Sequence, residues 1–95
     1  PPPPSEQLEK AGKEVLARSQ QIAEKSGVQV KTRLVFGDPA EEIAKVANEE
    51  GFDLLVVGSR GLSRVAALLL GSVSEKLCRD AKCPVLIVKP GWKAE

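Results

Sequence analysis

The sequence contains no histidine, no tyrosine, one tryptophan and two phenylalanines among its 95 residues. Without imidazole, the common zinc sets lose a ligand type, and a hydrolytic centre loses the side chain most often used as general base. Cysteine is nearly as scarce. Cys78 and Cys83 lie too close together in the chain for a disulfide scaffold, and they read first as small buried hydrophobes of a reducing cytoplasm, with a redox pair as the alternative. Apolar runs are short: none approaches the roughly 18 residues of a membrane span, and no signal-peptide pattern is present, so no membrane partner is expected. Nor is one sign of charge in excess. Lys plus Arg (14) against Asp plus Glu (13) leaves a net charge of +1, without the basic surplus that binding a nucleic-acid backbone demands.

What is present is a regular alternation of helical and extended patterns. Pro1 to Pro4 favour an extended leader or linker. Ser5 can cap a helix whose apolar positions Leu8, Ala11, Val15, Ser19, Ile22 and Ala23 recur at three- and four-residue steps until Gly27 stops it. From Val28 the period becomes two. Val28, Val30, Thr32, Leu34 and Phe36 share one face, which predicts an edge strand covered on one side. Gly37 turns the chain, Asp38 can cap, Pro39 suits the first helical position, and Ile43, Val46 and Ala47 form the stripe of a second helix ending at Gly51.

Phe52 to Val57 and Pro84 to Val88 are nearly continuous apolar runs, as expected of parallel strands buried on both faces. Between them, Leu62 to Leu70 predicts a short apolar helix and Ser72 to Lys82 another, with Ser72 and Glu75 spaced as a capping box. Alternation of this kind predicts an α/β fold, an open parallel sheet with helices on its faces. One domain is expected over residues 5–90, with 91–95 as a tail.

Gly58 stands at the carboxyl end of the more buried strand, where open α/β sheets bind ligands. Gly58, Gly61 and Gly71 would let backbone N–H groups approach an anion, and the helix starting near Ser72 adds unpaired donors. Arg60 and Arg64 can screen phosphate charge, and the Ser72 and Ser74 hydroxyls can donate to phosphate oxygens. Neither the P-loop pattern nor the Gly-x-Gly-x-x-Gly dinucleotide pattern occurs.

The spacing Gly58-Ser59-Arg60-Gly61, nine residues, then Gly71-Ser72-Val73-Ser74 resembles the Gly-2x-Gly-9x-Gly-Ser/Thr signature of ATP-binding universal stress proteins. The segments Gly37 to Ile43, Asp53 to Gly58 and Cys83 to Val88 resemble that family in the same order, over about Ser5 to Lys89. The resemblance implies a Rossmann-like fold of the adenine nucleotide alpha hydrolase-like type and a regulatory, non-enzymatic cytoplasmic protein of the stress response. It implies ATP, with magnesium, held by Gly58, Ser59, Arg60, Gly61, Gly71, Ser72, Val73 and Ser74. It also implies a homodimer formed through the last strand, Val85 to Val88. A branch of the family binds no nucleotide, and a pure interaction module is the alternative.

Family members place a strand, a helix and a second strand ahead of the helix that starts here at Ser5. This sequence supplies none of these. The resemblance puts nucleoside and base contacts on those strands, so only the phosphate half of a site can be assigned. A chain incompletely represented is the first expectation; a rearranged sheet and completion by a partner chain are the alternatives.

Overall fold

The computed structural model describes residues 5–58 and 71–93, arranged as two compact units that meet in sequence between Phe36 and Gly37. The first unit is built on helix α1, Glu6–Lys25. The Ser5 Oγ accepts from the Leu8 N–H at 3.1 Å, and Glu6 and Glu9 at the start with Lys25 at the end complement the helix dipole. Gly27, with φ of 78°, closes the other end: its N–H reaches the Glu24 carbonyl at 3.0 Å and the Val28 N–H reaches that of Ala23 at 2.9 Å. This pair of bonds is a Schellman cap, and the left-handed φ is why glycine stands there.

No residue of α1 is buried, and Leu8, Val15 and Ile22 remain at least half exposed. The expected strand from Val28 to Phe36 is corrected by the structure: these residues join no ladder. Alternating apolar residues describe a surface suited to one-sided cover, but a strand also needs a neighbour for its N–H and C=O groups. Among the described residues, no strand pairs with this segment. Of the alternating set only Leu34 is half buried, beside Gly12, where an added Cβ would lie 2.6 Å from its Cδ1.

The second unit contains α2 (Pro39–Glu49), β1 (Leu55–Gly58), α3 (Ser72–Asp80) and β2 (Val85–Val88). β1 and β2 pair in parallel, with Leu55 opposite Val85 and Gly58 opposite Val88, and α3 makes the crossover. The α/β class with a parallel sheet is therefore realised. Asp38 caps α2 through its Oδ2, which accepts from the Glu41 N–H at 3.0 Å, and Pro39 occupies the first turn.

The core lies where α2 and α3 meet the sheet. Leu77 is fully buried; Ala40 and Ala44 surround it, and Ile43, Leu55, Val57 and Val73 pack against the cluster. The sequence pattern assigned the inner stripe of α2 to Ile43, Val46 and Ala47; the structure buries Ala47 and packs Ile43 against the core as expected, and adds Ala40 and Ala44. Small side chains let the two helices approach closely, so the alanines take the contact.

A second correction concerns β1, expected to be covered on both faces. Leu55 and Val57 face the helices, but Leu54, Val56 and Leu86 are more than half exposed. Among the described residues of this unit both helices pack on one face, and a continuous apolar run records what a strand can bury, not what covers it. α3 ends at Asp80 rather than Lys82. Asn48 spans the end: its Nδ2 donates to the Asp80 carbonyl at 3.1 Å and its Oδ1 accepts from the Lys82 N–H at 2.8 Å. No described helix is long and apolar enough to cross a membrane.

Candidate functional site

β1 delivers Gly58 to the end of the sheet, and α3 begins beside it. The expected capping box is not formed. Gly71 is the N-cap of α3, in an extended conformation (φ −67°, ψ 156°) and without a side-chain capping bond, so Ser72 becomes the first helical residue. Glu75 is then one position too far along to reach back as a box partner. The consequence is chemical. The Glu75 N–H bonds the Gly71 carbonyl at 3.0 Å, whereas the first-turn N–H groups of Ser72, Val73 and Ser74 receive no side-chain acceptor from the cap.

The serines divide into different roles. Ser72 is exposed at the helix start. Ser74 is 2% exposed, and its Oγ donates to the Gly58 carbonyl at 2.7 Å. The structure thus brings Gly58, Gly71, Ser72, Val73 and Ser74 together at one end of the sheet. Ser59, Arg60, Gly61 and Arg64, and the helix expected over Leu62 to Leu70, lie outside the described residues.

A charged cluster joins the starts of α2 and α3. The Lys76 Nζ lies 3.5 Å from Asp38 Oδ2 and 3.6 Å from Glu41 Oε1, all three partly exposed. Sequence reasoning had Asp38 as a cap and missed its ion pair, which no sequence spacing announces. The bond from the Glu41 N–H, followed by the Lys76 ammonium, overcomes desolvation and holds the Asp38 carboxyl below its ordinary value of 3.8.

Because the folded value is the lower one, the stability it contributes is present above 3.8 and is lost as pH falls through the folded value. Asp38→Asn keeps a capping oxygen and removes the charge. The melting temperature of wild type should exceed that of Asp38→Asn by a constant margin above about pH 5, and the margin should close in stronger acid. A margin that widened on acidification would contradict this assignment.

The cysteines need correcting in part. Cys83 is half buried, but Cys78 is exposed, and both are free thiols. Cys78 follows Leu77, and one helical step of about 100° turns it from the core to the surface.

Comparison with known proteins places these features in a family. The sequence profile of the universal stress protein family matches residues 1–89. Universal stress protein MJ0531 of Methanocaldococcus jannaschii is 41% identical over 85 residues, covering 90% of this chain and 50% of its own. Universal stress protein YxiE of Bacillus subtilis is 43% identical over 83 residues, covering 87% of this chain and 56% of its own. The chain spans about half the length of these curated relatives. The solved structure of the protein MJ0577, presented as a structure-based assignment of biochemical function, superposes with a TM-score of 0.81 at 36% identity, covering 92% of this chain and 60% of that one. On the parallel α/β fold, the order of its segments and these matches, the chain belongs to the universal stress protein family.

Proposed function

We propose that this protein is an ATP-binding regulator of the stress response, with the phosphates held between Gly58 and the start of α3. The observation that carries the reading is the bare N-cap: Gly71 supplies no side-chain acceptor to the first turn of α3, directly beside the end of β1. Such a terminus presents N–H donors and a partial positive charge to an anion. Ser72, exposed at the first helical position, adds a hydroxyl. The donor set suits phosphate oxygens, and magnesium would be carried by the phosphates, as is usual for this ion.

The reading is regulatory and not catalytic. Asp38, the carboxylate that could be offered as a base, is engaged as a helix cap and held below its ordinary pKa, which makes it a weak proton acceptor. Bound ATP would act as a ligand that biases the surfaces the protein presents to partners in the cytoplasm. Calorimetric titration of the protein with magnesium-ATP tests this. Saturable binding to wild type that is lost in Gly71→Asp is expected; no binding to wild type would leave the interaction module as the better reading.

That second reading draws on the strand edges. The Leu55 N–H bonds the Pro84 carbonyl at 2.9 Å, and alternation along a parallel strand then turns the N–H groups of Val85 and Ile87 away from β1. An apolar edge whose donors point away from β1 suits pairing with the same edge of a second copy, and we assign a homodimer to it. Ile87→Pro removes one outward donor and leaves the inner ladder intact. Light scattering should show a dimer for wild type and a monomer for this variant. A dimer in both would rule the edge out.

A further inference from the structure

We propose that Ser74 is a positioning residue, which holds the end of β1 against the first turn of α3 and is not itself a phosphate ligand. This rests on the nucleotide reading above and departs from the role that spacing alone suggests for its hydroxyl. Among the described residues, Ser74 is the one buried polar side chain, at 2% exposure. Its single hydroxyl hydrogen is directed to the Gly58 carbonyl at 2.7 Å. Along β1, Leu55 and Val57 direct their backbone groups to β2, so the Gly58 carbonyl points away from that neighbour. The Ser74 hydroxyl satisfies an acceptor that the sheet does not.

The bond joins residues 16 apart, across the whole glycine-bounded segment. Gly58 and Gly71 carry no side chains with which to hold one another. The bond fixes how the Gly58 carbonyl and the first turn of α3 sit against one another, so a ligand need not order them at the expense of binding free energy. With the Ser74 bond in place, the donors of Ser72 and Val73 stand ready beside the strand end before any anion arrives. The neighbouring hydroxyls therefore differ in kind: Ser72, exposed, is free to meet the ligand, and Ser74 holds the frame.

The test compares wild type, Ser74→Ala and Ser74→Thr, by amide hydrogen exchange and amide chemical shifts without ligand and by titration with magnesium-ATP. Ser74→Ala should accelerate exchange and shift the Gly58, Gly71 and Ser72 amides in the ligand-free protein, and weaken ATP binding by about tenfold or more. Ser74→Thr, which keeps the hydroxyl, should restore both. A residue that acted only as a phosphate ligand would leave the ligand-free amides unchanged, and that result overturns the proposal. So does ATP affinity in Ser74→Ala equal to wild type. If wild type binds no ATP, the nucleotide reading fails separately. The ligand-free exchange rates then decide the framing role alone: unaltered rates in Ser74→Ala reject it.

Discussion

Leu77→Ala is expected to destabilise the protein by about 2–5 kcal/mol, toward the upper part of the range for buried leucines. Among the described residues, Leu77 is the one large side chain that is completely buried, and it fills the space between α2 and the sheet. Its buried neighbours on α2, Ala40 and Ala44, are too short to move into the space it would leave. A cavity that cannot collapse keeps its full cost. Domains of this size have only about 5–15 kcal/mol to lose, so the variant should melt far below wild type in urea followed by circular dichroism. A loss under about 1 kcal/mol would mean that the core has been placed wrongly.

The second large effect concerns Gly71→Asp. Gly71 has φ of −67° and ψ of 156°, an extended conformation open to any residue, so aspartate enters without backbone strain. At an N-cap aspartate is at least as good as glycine, because its carboxylate accepts from the first-turn N–H groups. The same carboxylate then occupies the donors that phosphate needs and repels it. The melting temperature should hold or rise while ATP affinity falls by at least about tenfold. This opposite movement separates a damaged site from a damaged fold. Unchanged affinity would remove the phosphate role from the start of α3.

Much of this was legible from local sequence. Ser5, Asp38 and Pro39 announced their helix starts, and Gly27 announced the end of α1. Each is a feature whose partners lie within a few residues, so spacing alone identifies them. The parallel character of Leu55–Gly58 and Val85–Val88 was also readable, because both runs are apolar throughout.

Other features misled for one shared reason. The period-two run from Val28 to Phe36 has the composition of a strand yet joins no ladder, since pairing is a property of neighbours and not of the run itself. Ser72 and Glu75 carry the spacing of a capping box, but the helix begins one residue earlier in register, with Gly71 as its cap.

By itself, the sequence determined the family, the order of the described elements from α2 to β2, the helix caps at Ser5 and Asp38, and the glycine spacing from Gly58 to Gly71. These depend on residue identity and short-range geometry. Tertiary structure alone decided that alanines line the contact of α2 with α3, that Asn48 spans the end of α3, that Lys76 joins Asp38, and that the Ser74 proton goes to Gly58. Each of these is a contact between residues far apart in the chain, and which buried group meets which is settled only when the elements pack.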